Sequence, residues 1–179
     1  MKYAALLRGI NVGGKNKMDM KLLRQTFEKA GMTSVVSYIN TGNIIFDDDE
    51  HSRTELTHSI EKAIETDFGL EIKVVVRSME DFQRLMENLP DSWKNDQEMK
   101  SDVLFLWDDI DADSILEELD IKEGIDHVIY VSGAVLWSIN RKNINKSGMK
   151  RLAGSSLYKR MTIRNVNTTR KIYERMQEE

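Results

Sequence analysis

Apolar residues recur along the chain with the periods of short strands and helices. Runs rich in apolar and β-branched residues predict strands at residues 3–10, 33–40, 43–46 and 71–77. Helical spacing of apolar residues predicts helices that begin after Asp19, near Arg53 and near Met79. The pair Thr41-Gly42 between the second and third strands is typical of a hairpin turn. The first half of the chain therefore has the predicted order β-α-β-β-α-β-α.

The same order restarts after Pro90, the single proline, and a polar stretch at residues 91–100. Strands are predicted at 103–107, 127–131, 134–139 and 161–164, and helices at 114–119, 149–158 and 166–176. The last strand of each half ends in an arginine followed by a helix-capping residue, Arg77-Ser78 and Arg164-Asn165. This repeat predicts an α+β fold of two tandem ferredoxin-like (split βαβ) units with antiparallel, helix-covered sheets, at residues 1–90 and 91–179.

Composition excludes several classes of chemistry. The chain has 179 residues, 40% of them hydrophobic, and no cysteine, so disulfides, thiolate nucleophiles and cysteine metal sites are absent. The apolar run at residues 3–7 is followed at once by Arg8 and is too short for a signal peptide or a membrane span. We therefore expect a cytoplasmic protein without a membrane partner.

Charge is distributed unevenly along the chain. Residues 1–46 carry a net charge of +5, residues 47–123 carry -16, and residues 141–179 carry +8. Either these surfaces complement one another or the basic ends form a surface for phosphates. The C-terminal basic region, with Tyr158 and Tyr173, also has the composition of a single-stranded RNA site. The pI near 5.5 and the lack of an aromatic RNA-binding motif argue against that alternative.

A glycine-rich loop at residues 8–17 is the strongest candidate site. It joins a strand to a helix and combines glycines at 9, 13 and 14 with Arg8, Lys15 and Lys17. It matches the P-loop pattern except that Asn16 replaces the hydroxyl residue that binds Mg²⁺. Glycines that permit close approach, cations and the unpaired N–H groups of a helix start predict anion binding. The alternative is a tight connection whose glycines serve turn geometry and whose lysines serve solubility.

Strand order places a second segment beside this loop. In a split βαβ unit the first and second strands are parallel with the third between them, so the loop and the turn at residues 40–43 share one edge. Arg164, Asn165 and Asn167 join this edge only if the last helix start faces it. The predicted ligand-binding residues are Arg8, Asn11, Gly13, Gly14, Lys15, Asn16, Lys17, Asn40, Asn43, Arg164, Asn165 and Asn167.

No catalytic signature, cofactor motif or metal site emerges from the sequence. The three histidines lack metal-ligand spacing, and the series Asp109, Asp111, Asp113 lacks the glycine and glutamate of a calcium loop. The leading hypothesis is binding of a phosphorylated small molecule or nucleotide at the loop. Single-stranded RNA binding, an enzyme acting on a small phosphorylated substrate, and a protein-interaction scaffold stay open as alternatives. The sequence indicates no oligomeric state.

Three segments also carry a family resemblance: residues 5–17, with the sequence ALLRGINVGGKNK, residues 38–46 and residues 163–168. With these segments the chain is similar to bacterial domain-of-unknown-function family 1697, over nearly its whole length. The resemblance implies a two-part α/β fold of ferredoxin-like halves, and no established activity, cofactor or catalytic residue. Val166 stands where the family usually has an aromatic residue, which weakens a stacking role there.

Overall fold

The computed structural model describes residues 1–178, which form an α+β fold with two four-stranded antiparallel sheets. The strands are β1 (Lys2–Leu7), β2 (Thr33–Tyr38), β3 (Asn43–Asp47), β4 (Val74–Ser78), β5 (Met99–Leu106), β6 (His127–Val131), β7 (Ala134–Asn140) and β8 (Met161–Asn165). The α-helices are α1 (Met20–Lys29), α2 (Arg53–Phe68), α3 (Met79–Asn88), α4 (Ile115–Glu118) and α5 (Val166–Met176). Short 3-10 helices cover Asp108–Ile110, Arg141–Asn143, Gly148–Gly154 and Ser156–Arg160.

The first sheet has the strand order β2-β3-β1-β4, with every neighbouring pair antiparallel. Ala5 of β1 lies opposite Ile44 of β3 and Val76 of β4. Because β1 and β2 both pair against β3, they run parallel to each other with β3 between them. The end of β1 and the turn that follows β2 therefore leave the sheet at the same edge.

One face of this sheet forms a core with the first two helices. Leu23 and Phe27 of α1, both buried, belong to the same apolar cluster as Phe46 of β3. The Phe46 ring stacks on Tyr3 and meets Phe27 edge-on, each with a centroid distance of 5.7 Å. Each such ring pair contributes about 0.5–1.5 kcal/mol of stability beyond what the burial of its apolar area contributes. This packing fixes α1 on the sheet, and with it the loop that precedes α1.

Local signals explain where the helices begin and end. Ser52 and Glu55 form a reciprocal capping box at the start of α2, and Gly69 ends that helix in the left-handed conformation at φ +68°. Asp19 caps α1, as the sequence predicts.

The second sheet repeats the topology, with the strand order β6-β7-β5-β8. Its crossover connections are less regular, since α4 has only four residues and 3-10 helices replace the α-helix predicted at residues 149–158. The prediction of one α-helix there is wrong because Gly154, Ser155 and Ser156, all poor helix formers, interrupt its middle. The backbone instead forms tight turns, with the Ser155 N–H donating to the carbonyl of Leu152 at 3.0 Å.

A buried carboxylate holds this irregular connection in place. Asp126 accepts hydrogen bonds from Trp137 Nε1 at 3.0 Å and Ser147 Oγ at 2.5 Å on Oδ1. Its Oδ2 accepts from the backbone N–H groups of Lys122 at 2.8 Å and Gly148 at 2.9 Å. Burial tends to raise the pKa of Asp126, but these hydrogen bonds outweigh burial and lower the pKa below its usual value.

The chain divides into two compact units, residues 1–80 with 172–178, and residues 81–171. The predicted halves, 1–90 and 91–179, stay a prediction; the compact units assign most of α3 to the second unit and the last part of α5 to the first. Within the second unit, Phe82 of α3 packs against Phe105 of β5 at 5.9 Å between ring centroids. No helix within residues 1–178 has the length and apolar character needed to cross a membrane.

Candidate functional site

The glycine-rich loop at residues 8–17, hereafter the rim loop, folds as a miniature hairpin. Its Asn11 N–H donates to the Asn16 carbonyl at 3.2 Å, and its Lys15 N–H donates to the Val12 carbonyl at 3.0 Å. Gly13 and Gly14 sit at the two central turn positions with φ of +59° and +75°. Both positions need the left-handed conformation, which glycine adopts without steric cost. Turn geometry alone therefore accounts for these two glycines.

Asn11 joins the rim loop to the turn that follows β2. Its Nδ2 donates to the Asn40 carbonyl at 2.7 Å and to the Met18 carbonyl at 3.1 Å. Its Oδ1 accepts from the Met18 N–H at 2.8 Å. The predicted neighbourhood of the loop and the turn is therefore confirmed by a direct hydrogen bond. The same bonds use both donors of the Asn11 amide, so Asn11 positions the site instead of offering a donor to a ligand.

An open depression of about 490 Å³ lies where the rim loop, the turn after β2 and the start of α1 meet. Its lining residues are Asn11, Gly14, Lys17, Met18, Asp19 and Asn40. The side chains of Lys17 and Asn40 are exposed and make no hydrogen bond or ion pair with residues 1–178. They are the groups in this depression most able to contact a ligand.

Four cationic side chains belong to this edge of the first unit. Lys15 and Lys17 are exposed and Arg8 is half-buried. Pairing of β1 with β4 adds Lys73, whose carbonyl accepts the Arg8 N–H at 3.0 Å and whose Nζ lies 3.8 Å from Glu61 Oε2. The sequence prediction missed Lys73 because it is distant along the chain. The same strand order that predicts the turn beside the loop also predicts Lys73 beside Arg8, because β4 pairs with β1.

The predicted role of the α1 start needs correction. The Asp19 Oδ1 atom accepts from the N–H groups of Lys21 at 2.8 Å and Leu22 at 3.1 Å. These amides are therefore paired, and they are not free for an anion. The Asp19 carboxylate also adds a negative charge to the lining of the depression. Anion binding there must depend on the lysines, not on the helix terminus.

Asn43 is buried beneath the turn that follows β2, and its predicted role in ligand binding stays a prediction. This residue of β3 has 0% exposure, and its Nδ2 donates to the Tyr38 carbonyl at 2.9 Å and to Thr41 Oγ1 at 3.2 Å. Its amide closes the turn from inside, and both of its donors are used there. Asn16 has a similar task in the rim loop, where its Nδ2 donates to the Gly9 carbonyl at 3.0 Å.

Arg164, Asn165 and Asn167 belong to the second compact unit and serve its structure. Arg164 is 9% exposed, and its guanidinium donates to Thr162 Oγ1 at 3.0 Å. Burial lowers the pKa of Arg164 to about 10, so it remains charged at neutral pH. Asn165 caps α5 through the Thr168 N–H at 2.9 Å, and Asn167 Nδ2 donates to the carbonyl of Asn95 at 2.8 Å. These contacts give the three side chains structural roles in the second unit, and their role in ligand binding stays a prediction.

Several arginines of the C-terminal basic region also have partners within the second unit. Arg141 Nε donates to the Asp96 carbonyl at 2.6 Å, and Arg170 donates to the carbonyls of Trp93 at 2.6 Å and Pro90 at 3.0 Å. These bonds fasten the polar stretch after α3 to the second unit. Fewer cations are then available for a phosphate backbone, and RNA binding stays a prediction.

The aspartate series that resembles a calcium loop has another role. Asp111 accepts from Tyr130 Oη at 2.6 Å and from the Gly133 N–H at 2.8 Å, and so ties the turn after β6 to this segment. Burial and the Asp111 hydrogen bond raise the pKa of Tyr130 to about 12. No group of three or more His, Cys, Asp or Glu side chains in residues 1–178 is placed to hold a metal ion.

Comparison with known proteins supplies relatives but no activity. A family model described as "Protein of unknown function (DUF1697)" matches residues 1–137. The solved structure of the conserved bacterial protein SP0830 from Streptococcus pneumoniae is similar, with a TM-score of 0.84 and 33% sequence identity. That similarity covers 98% of this chain and 98% of the other. No curated protein matches the chain.

Proposed function

The chain belongs to the DUF1697 family of proteins of unknown function, and we propose that its first unit binds a phosphorylated small molecule or nucleotide at the rim loop. The carrying observation is the hydrogen bond from Asn11 Nδ2 to the Asn40 carbonyl, 2.7 Å long. It joins two distant segments around one open depression that contains an uncommitted lysine, Lys17. A hydrogen-bonded rim that carries an exposed cation offers a contact point for an anionic group.

Charge supports an anionic ligand over a neutral one. Arg8, Lys15 and Lys73 belong to the same edge of the first unit as Lys17, which lines the depression, and Asp19 is the single acidic residue that residues 1–178 contribute to the lining. A phosphate group offers several acceptor oxygens and up to two negative charges, so it gains from more than one of these cations. Each charge-assisted hydrogen bond contributes about 1.5–3 kcal/mol. Only Lys17 among the four lines the depression itself, which makes it the primary contact.

We further propose that each sheet with its helices is a ferredoxin-like unit. The matching strand orders β2-β3-β1-β4 and β6-β7-β5-β8 support this proposal. The proposed site then lies at the edge where the first strand of such a unit ends. The second unit has the same edge, but its corresponding loop carries Asp108, Asp109 and Asp111 in place of lysines. This difference confines the proposed anion site to the first unit.

A ligand screen on two variants tests the proposal. Calorimetric titration with nucleoside monophosphates and sugar phosphates should find at least one ligand, and Lys17→Gln should weaken its binding about tenfold or more, the equivalent of one charge-assisted bond. Lys62→Gln removes the same charge from an exposed position on α2 and should leave the affinity unchanged. A screen without ligands, or equal losses in the two variants, contradicts the proposal.

A further inference from the structure

The depression has a mixed polar lining, which a bare phosphate would not satisfy. Asn11 already uses both amide donors on Asn40 and Met18. The polar side chains left are the Lys17 ammonium, the Asp19 carboxylate and the Asn40 amide. Lys17 and Asp19 are two residues apart, so a ligand at Lys17 also approaches a negative charge. An inorganic phosphate dianion would gain from the first and be repelled by the second.

The Asp19 carboxylate retains capacity for a ligand. Its Oδ1 accepts both helix N–H groups, from Lys21 and Leu22. A carboxylate accepts about four hydrogen bonds in all, so Oδ2 still has lone pairs for a donor. A hydroxyl group next to the phosphate of a ligand would supply that donor. It would also separate the two negative charges.

Net charge decides between two ligand classes with both an anion and a donor. A zwitterion such as an amino acid could pair its carboxylate with Lys17 and its ammonium with Asp19. The same edge carries Arg8, Lys15 and Lys73 in addition, of which Lys73 lies near Glu61, so these residues add net positive charge to the edge. A ligand without net charge gains little from that charge. A phosphate ester with neutral hydroxyls is attracted by it.

We propose that the ligand is a phosphate monoester bearing at least one free hydroxyl near its phosphate, as in a polyol or sugar phosphate or the ribose of a nucleotide. Lys17 binds the phosphate, Asp19 accepts from the hydroxyl, and the exposed Asn40 amide provides a further donor and acceptor. This inference rests on the proposed function of the same depression. It adds that Asp19 selects the ligand and does not only cap α1.

The test compares two esters on two proteins. Ribose 5-phosphate has hydroxyls and methyl phosphate has none, and glycine serves as a zwitterion without net charge. Titration calorimetry on the intact chain should show ribose 5-phosphate binding about tenfold or more tightly than methyl phosphate, as one hydrogen bond to a charged group predicts. Glycine should not bind.

Asp19→Asn is the informative variant, because asparagine is an equally good helix cap and the fold should persist. Without the carboxylate, methyl phosphate should bind a few-fold more tightly, and the preference for ribose 5-phosphate should fall to about threefold or less. Circular dichroism and the urea midpoint of this variant should match the parent protein. Such a crossed change distinguishes ligand contact from a purely structural role of Asp19.

The outcomes separate the two levels of inference. If both esters bind equally to the parent protein, or if their ratio is unchanged in Asp19→Asn, the hydroxyl assignment is overturned while the anion site stands. If glycine binds and the esters do not, both the assignment and the anion site are overturned. If no ester binds at all, the proposed function itself fails.

Discussion

Gly42 illustrates how a single residue sets the shape of the candidate site. Its φ of +92° is in the left-handed region, and a Cβ atom there would lie 2.8 Å from both Leu7 Cβ and Ile10 Cδ1. The Leu7 N–H also donates to the Gly42 carbonyl at 2.9 Å. Close approach of the turn to the end of β1 therefore requires glycine for two independent reasons, backbone conformation and space.

Gly42→Ala should lower the free energy of unfolding by roughly 2–5 kcal/mol, from about 1–2 kcal/mol of left-handed strain and about 1–3 kcal/mol of overpacking. Gly31→Ala is the matched control, because Gly31 has φ +101° and open space where the methyl group of an alanine would lie. The unfolding free energy of Gly31→Ala should fall only by the left-handed strain, about 1–2 kcal/mol. Urea denaturation measures both values, and equal losses would show that the contact with Leu7 and Ile10 costs nothing.

Asparagines show what single residues in a sequence do not reveal. Asn11, Asn16 and Asn43 have the hydrogen-bonding groups of ligand contacts, and their sequence context predicts that role. Each instead donates to a backbone carbonyl: Asn16 and Asn43 within their own turns, and Asn11 across to the turn that follows β2. An amide carries both donors and acceptors, so it suits a turn as well as it suits a ligand. Only the positions of neighbouring carbonyls distinguish the two uses, whereas charge alone identifies the lysines of the rim loop.

At the scale of secondary structure elements, the connection from β7 to β8 depends on one carboxylate more than on helix propensity. Residues 141–160, which form this connection, contain three short 3-10 helices and no α-helix. Asp126 bonds to Ser147 and to the Gly148 N–H, and a Cβ on Gly148 would lie 1.1 Å from the Asp120 carbonyl oxygen. The connection is thus fixed by contacts with residues that precede it in the chain.

Asp126→Asn should destabilise the protein by roughly 3 kcal/mol, because four donors point at the carboxylate and an NH₂ group would face some of them. The folded-state pKa of Asp126 is lowered, so its contribution is complete above the unfolded-state pKa of about 3.9 and is lost as pH falls through the folded value. Urea denaturation from pH 8 to pH 3 should show a constant difference in unfolding free energy between the parent protein and Asp126→Asn down to about pH 5. Below that pH the difference should become smaller.

Asp91→Asn is the control for that series, since Asp91 is exposed. It should change stability by less than about 0.5 kcal/mol at every pH. If Asp126→Asn followed the same curve, the hydrogen bonds to Asp126 would have no net effect on folding.

Strand and helix positions follow from hydrophobic periodicity more reliably than their ends do. All eight strands within residues 1–178 lie where the sequence predicts them, because apolar alternation reflects burial on a sheet face. The prediction extends β1 to Ile10, but the strand ends at Leu7, since Gly9 adopts φ +71° and leaves the extended conformation. Residues 149–158 have the apolar spacing of a helix but do not form the predicted α-helix. Their conformation depends in part on Asp126, which is too distant in sequence for local patterns to include it.

At the scale of the whole molecule, chain order and compact units do not coincide. The first unit takes residues 1–80 and then 172–178, with the entire second unit between them along the chain. Residues 172–178 contribute buried side chains to this unit, since Ile172 and Met176 are 0% and 1% exposed. Arg175 lies 6.0 Å from the centroid of the Tyr38 ring, and Lys2 Nζ donates to the Glu178 carbonyl at 3.0 Å.

Truncation of the chain after Lys171 should therefore destabilise the first unit and leave the second unit folded. Loss of two buried side chains removes about 3–6 kcal/mol of apolar burial, a large share of the stability of a typical domain. Hydrogen exchange should show lost protection of the β2 and β3 amides, while the β5 and β7 amides keep theirs. Removal of residues 177–179 alone should have little effect. Uniform loss over both sheets would contradict the division into units.

The discontinuous first unit has a consequence for biosynthesis. Domains generally fold in the order in which the ribosome releases them, beginning at the N-terminus. Here the nascent chain must emerge through residue 178 before the earliest strands acquire their last buried residues. The segment translated in the middle can complete its own sheet first. The proposed ligand site, built from residues 8–19 and Asn40, would thus mature only after residues 172–178 have been translated.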